Sequence, residues 1–209
     1  MTESRIVTID SEADPLLNAS CSAFHLQYQP SNEFVRRIIA AQDLVKPVSN
    51  DILFRCPPAS LHMTVLTLLP ARPETSGEAD AAWNESGCLW ADKIAKVCSA
   101  QSPFDVQFET IEVSSRAIFL KGQLKSVLER LRNAIVEEIA PFGSPLIVPN
   151  IAHISLFRFL RTRPNIQVQI PVMPPGDGTT ARVETIVLTK ETRYPSLERD
   201  LLASFELGR

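Results

Sequence analysis

The chain has 209 residues, of which 44% are hydrophobic and 22% charged, with 16 prolines. This composition suits one globular domain or two small lobes on a shared core, and it excludes fibrous, collagen-like and wholly disordered chains. With 21 Lys and Arg against 24 Asp and Glu, a net charge of −3 leaves no broad basic field for wrapping duplex nucleic acid, so any contact with a nucleic acid must be local. The opening MTESRIVTIDSEADPLL carries acidic residues and no apolar core of a signal segment, and no window approaches about 18 consecutive apolar residues. Neither secretion nor membrane spanning is expected. Cys21, Cys56, Cys88 and Cys98 match neither metal-knuckle spacing nor a disulfide scaffold. They read as reduced thiols of a cytoplasmic protein.

After a polar leader to about Leu17, Ser22 to Gln29 alternates Phe24, Leu26 and Tyr28 with His25, Gln27 and Gln29, the pattern of a half-buried strand. On this reading His25 is an exposed imidazole, and Phe24 and Tyr28 are core. Asn32 is positioned to cap a helix carrying Phe34, Val35, Ile38, Ile39 and Leu44, which must stop before Pro47. Leu61–Leu69 (LHMTVLTLL) is apolar on both faces apart from hydroxyls and one imidazole, as in a central strand, and Pro70 ends it. Ala71–Ala82 reads as a polar surface loop and Trp83–Val97 as an amphipathic helix.

Phe104–Val113 and Ala117–Lys121 are predicted strands joined by a short turn, with Glu109 and Glu112 on a solvated face and Arg116 and Lys121 as surface cations. Leu124, Val127, Leu128, Leu131, Ile135 and Ile139 form the cleanest helical stripe. It is closed by Pro141 and Gly143 before a strand at Ile151–Leu160 (IAHISLFRFL). Pro171–Thr180 reads as a loop and Val183–Lys190 as a last strand. Both this loop and Ala71–Ala82 are candidate lids.

Strand, helix, strand thus occurs twice. Laying LHMTVLTLL on AHISLFRFL places His62 over His153 and Thr64 over Ser155, both pairs 91 residues apart. The pattern predicts an α+β fold: a single bilobal domain with halves at about 20–100 and 104–195, each an antiparallel-rich sheet backed by helices, related by a pseudo-twofold about a central cleft. Side chains two apart on a strand share a face, so each motif presents an imidazole beside a hydroxyl. One neutral and one protonated histidine can serve as base and acid on a phosphodiester, with hydroxyls on its oxygens and no metal or cofactor required. Ligand spacing for zinc is missing, as are the glycine loops of P-loop, dinucleotide and serine-hydrolase chemistry.

Two H-x-[ST] motifs on apolar strands in similarly arranged halves resemble the 2H phosphoesterase superfamily. That resemblance implies His62 and His153 as catalytic residues, Thr64 and Ser155 as phosphate binders, and a cyclic phosphodiester substrate such as a 2′,3′-cyclic nucleotide or an RNA-terminal cyclic phosphate. HISLFR also resembles the H-x-T-L-x-R form of the RNA-ligase-like branch, which adds Arg158. In a regular strand Arg158 faces away from His153 and Ser155, so a bulge or strand end is needed to bring it into the groove. The first motif, HMTVLTLLP, lacks the glycine that this branch favours after the apolar run. The alternatives are a non-catalytic nucleotide- or phosphate-binding module on the same scaffold, and an RNA 3′-end exonuclease.

Overall fold

The computed structural model describes residues 3–47, 51–71, 76–123, 126–140, 146–172 and 180–208. In chain order the elements are β1 (Ser4–Ser11), β2 (Ser20–Tyr28), α1 (Asn32–Leu44), β3 (Lys46–Pro47), β4 (Leu53–Arg55), a 3₁₀ turn (Pro58–Ser60), β5 (Met63–Leu69), α2 (Ser76–Ser99), β6 (Phe104–Val113), β7 (Ala117–Gly122), α3 (Ser126–Ile139), β8 (Ala152–Phe159), β9 (Arg163–Pro171), β10 (Thr180–Val183), β11 (Thr185–Arg193) and β12 (Glu198–Glu206). The main sheet runs β10-β6-β7-β8-β5-β2-β11-β12, with β4 paired to β8. A second sheet runs β1-β9-β3, and every described pairing is antiparallel.

This is an α+β fold of two lobes, four strands on each side of the β8–β5 junction. The junction is narrow, a single residue pair with Met63 opposite Ile154. One face of the main sheet carries Phe24, Leu26, Met63, Leu120 and Ile154, all at most 2% exposed. The helices seal this face, with Trp83 of α2 stacked on Phe24 and Phe34 of α1 tilted against Phe108 of β6. Removing these large apolar side chains from water is the main term holding the lobes. The opposite face carries the polar side chains of β2, β5 and β8.

Several elements differ from the sequence reading. The supposed leader contains β1, an edge strand that pairs with β9, the centre of the smaller sheet, and Ile166, Val168 and Ile170 of β9 are buried. The alternation in NIQVQI carries that strand's signal. The cap of α1 is Ser31, whose hydroxyl accepts from the Phe34 amide, one residue before Asn32. Most of Ala71–Ala82 is not a loop: α2 begins at Ser76, because alanines and acidic residues favour a helical first turn. Residues 72–75 and 173–179 of the two candidate lids lie outside the described residues, as do Leu124, Pro141 and Gly143. β12, with no clean alternation, completes the lobe of β5 and β2.

Candidate functional site

His62 sits one residue before β5 and two after the 3₁₀ turn, and His153 is the second residue of β8. Because Met63 is opposite Ile154 in an antiparallel pair, His62 falls opposite Ser155 and Thr64 opposite His153, all four on the polar face. The two histidines are diagonal neighbours, a relation that places Cβ atoms roughly 7 Å apart, a spacing one phosphate can bridge. All four side chains are half-buried.

The two strands then depart from regularity at equivalent places. In β5, Leu66 pairs with Leu26 but Thr64 pairs with Gln27, leaving Val65 as an extra residue. In β8, Phe157 pairs with Ile118 but Ser155 pairs with Phe119, leaving Leu156 extra. Val65 and Leu156 are 91 residues apart, the same interval that separates the histidines. Each bulge shifts strand parity by one, so the residue three beyond the hydroxyl rejoins the polar face. That residue is Thr67 in β5, bonded to His25, and Arg158 in β8, whose Nη2 donates to the Ser155 hydroxyl at 3.0 Å. Arg158 therefore reaches the face of Ser155 by the bulge its parity demanded.

Each bulge is braced by a buried polar side chain from the other half's helix. Arg132 of α3, 1% exposed, donates through Nε to the Val65 carbonyl at 2.8 Å and through Nη2 to that of Thr64 at 3.1 Å, with further bonds to the Pro149 and Ile151 carbonyls. Gln42 of α1, 2% exposed, donates to the Leu156 carbonyl at 2.9 Å and to that of Cys56 at 3.0 Å. A bulge frees backbone groups from the ladder, and a buried carbonyl needs a donor. Sequence reasoning missed both residues; the available signal was a long polar side chain interrupting the apolar stripe of a helix.

The imidazole of His62 is oriented by Nδ1, 2.8 Å from the Ser60 carbonyl. A carbonyl only accepts, so Nδ1 carries the proton and Nε2 is left as a lone pair. Burial pushes the His62 pKa down to about 3; the Ser60 bond opposes this shift, and the positive fields of Arg199, His25 and His153 add to it. Burial, then Arg158 and Arg132, lowers His153 to about 4. Its ring stands edge-on to Phe119, centroids 5.4 Å apart, and Lys121 is its neighbour across β7.

His25 is not the exposed imidazole expected: its side chain is only 13% exposed, Nδ1 lies 3.0 Å from the Thr67 hydroxyl and Nε2 3.9 Å from Glu191. Burial lowers its pKa, opposed by Glu191. The neighbour that covers it is β11, which the polar pattern of β2 alone cannot reveal. Arg158 is ion-paired with Asp14 at 3.2 Å and lies over the Tyr194 ring. Arg116 and Lys121 pair with Glu12 and Glu112. Phe24 and Tyr28 are core as expected.

No protein-family model matches the sequence, and no curated protein matches it. The architecture is nevertheless that of solved phosphoesterases: a structure described as a phosphoesterase superposes with a TM-score of 0.68 at 16% identity, covering 90% of this chain and 99% of that one. Escherichia coli LigT complexed with 3′-AMP is similar at a TM-score of 0.65 and 16% identity, with the same coverage. TT0787 of Thermus thermophilus is similar at 0.62 and 19%, again over 90% and 99%. At such identities the likeness is one of fold, in keeping with the resemblance of the two motifs to the 2H phosphoesterases. No helix among the described residues is long and apolar enough to cross a membrane.

Proposed function

We propose that the chain is a 2H-type phosphoesterase that hydrolyses a cyclic phosphodiester, a 2′,3′-cyclic nucleotide or an RNA-terminal cyclic phosphate, without a metal. The observation that carries this reading is the diagonal of His62 and His153 about the Met63–Ile154 pair, with Thr64 and Ser155 completing the square. E. coli LigT, which shares the fold, forms complexes with 3′-AMP and with phosphate, and this favours a nucleotide phosphate as the ligand here.

The tautomer of His62 supports one assignment of the roles. With its proton held at Nδ1 by Ser60, His62 presents the Nε2 lone pair and acts as general base on the attacking water. His153 acts as acid and delivers a proton to the leaving ribose oxygen. Water adds to phosphorus as the bond to that oxygen breaks, so a cyclic diester becomes a monoester. Thr64, Ser155 and Arg158 hold the equatorial oxygens, where fixed donors aimed at developing charge contribute most. In the free protein both imidazoles are neutral at pH 7, and the bound anion supplies the field that recharges His153.

Turnover of 2′,3′-cyclic nucleotides in the presence of EDTA tests the reading. A monoester product supports it, and tight nucleotide binding without product identifies a binding module instead. Stepwise shortening of an RNA 3′ end identifies an exonuclease.

A further inference from the structure

We propose that Arg199 of β12 is a phosphate-binding residue of the His62 half of the cleft, supplying there the positive charge that Arg158 supplies beside His153. The proposal rests on the reading of the cleft as a phosphoesterase site. In the repeat, the position of Arg158 is held by Thr67, whose side chain brings no charge, so the bulge of β5 delivers none. The cation comes instead from the far end of the lobe.

Arg199 is opposite Glu191 in the β11–β12 ladder, on the polar face that carries His25 and Gln27. Its guanidinium donates from Nη1 to the Gln27 side-chain oxygen at 3.1 Å and from Nη2 to the Ala59 carbonyl at 2.8 Å. Ala59 lies in the 3₁₀ turn whose next residue, Ser60, orients His62. Gln27 is fully buried and its amide is fixed: Nε2 donates to Ser196, whose hydroxyl donates to Glu191 at 2.6 Å.

Both acceptors on Arg199 are neutral, and among the described residues it forms no ion pair. Arg158, by contrast, is already paired with Asp14. A partly buried guanidinium bonded to neutral partners keeps more of its field than one bonded to a carboxylate, although Glu191 opposite offsets part of it, and a guanidinium has five N–H donors, more than two acceptors can use. An anion beside His62 completes that set as a charge-assisted contact. Burial lowers the Arg199 pKa, opposed by the Glu191 carboxylate across the ladder, and Arg199 in turn acts on His62 more strongly than the charges of His25 and His153 do.

The test is titration calorimetry with inorganic phosphate on the full chain, wild type against Arg199→Gln, Arg199→Lys and a control, Arg193→Gln, which removes an exposed pair with Glu198. Arg199→Gln is expected to weaken phosphate by about tenfold or more, Arg199→Lys by no more than about threefold, and the control not at all. NMR titration of the His62 ring is expected to move to higher pH in Arg199→Gln and to stay in place in Arg199→Lys. A bracing role alone does not produce that split. His25, His153, Arg199 and the Ser60 carbonyl face this ring, and only Arg199 changes. Undiminished phosphate binding by folded Arg199→Gln, while the wild type turns over a cyclic nucleotide, overturns the assignment of Arg199 and leaves the enzyme reading standing. A wild type that neither binds phosphate nor turns over substrate overturns both. Should Arg199→Gln not fold, Arg199→Lys decides, and a tenfold loss in that folded variant overturns the proposal.

Discussion

β5 and β8 are the same device built twice with different parts. Each carries an imidazole, a hydroxyl two residues on, an extra residue after the hydroxyl, and a side chain returned to the groove three residues later. In β8 the returned side chain is a guanidinium that bonds Ser155 directly. In β5 it is a hydroxyl that bonds the neighbouring His25. The braces differ as well, with four carbonyls gathered by the buried charge of Arg132 and two by the neutral amide of Gln42. Geometry is kept across the two halves while charge is redistributed, a division that suits the proposed split of base and acid between them.

The sharpest way to break this pairing is to remove one imidazole at a time. His62→Ala and His153→Ala are each expected to lower kcat for a cyclic nucleotide by about 10²–10⁴-fold, the usual contribution of a positioned acid or base. Full turnover by either variant ends the two-histidine mechanism. Next come the braces. Arg132→Met removes the buried donor to four carbonyls and is expected to cost about 3–5 kcal/mol in urea unfolding, against about 1–3 kcal/mol for Gln42→Leu. Little or no cost in either variant would mean that the bulges do not depend on their braces.

The hydroxyls separate the halves more finely. Thr64→Val is expected to lower kcat/KM by about a hundredfold, near the loss of one fixed oxyanion donor. Ser155→Ala should cost only about tenfold, because Arg158, released from Ser155, is free to follow the phosphate oxygen. A larger loss at Ser155 would reverse the assignment of the charged half.

Acidity gives the smallest and most diagnostic effect. Both site histidines have folded pKa values below the unfolded value of about 6.5, so between that pH and about 4 the unfolded chain binds protons that the folded chain does not. Stability therefore falls as pH drops from 7 to 5, and His153→Gln should lose less over that interval than wild type in urea titrations. Over the same range kcat/KM should rise on mild acidification, since His153 must gain its proton while His62 remains bare.

Much of this was readable from the chain. The apolar spacing of Phe34 and Ile38, and of Leu128, Leu131, Ile135 and Ile139, marks the buried stripes of α1 and α3, although Leu44, read as part of the α1 stripe, is 43% exposed. Period-two alternation likewise marks β2 and β6. The edge strands were less legible: β1 lies half in solvent, and β12 has exposed Leu201 and Leu202 against a weak pattern. Arg158 shows the limit most clearly. Its parity in an ideal strand points it away, and only the register of β8 against β7 reveals the extra residue that turns it back.

Local pattern and residue chemistry thus determined which side chains could act: two histidines, each with a hydroxyl two residues on, on strands able to bury one face. Tertiary structure alone decided that they meet. The junction at Met63 and Ile154, the bulges at Val65 and Leu156, and the braces Arg132 and Gln42 each join residues far apart in the chain. Which backbone group loses its ladder partner depends on the strand beside it, and which donor answers it depends on the helix packed behind. Neither neighbour is present in the local sequence.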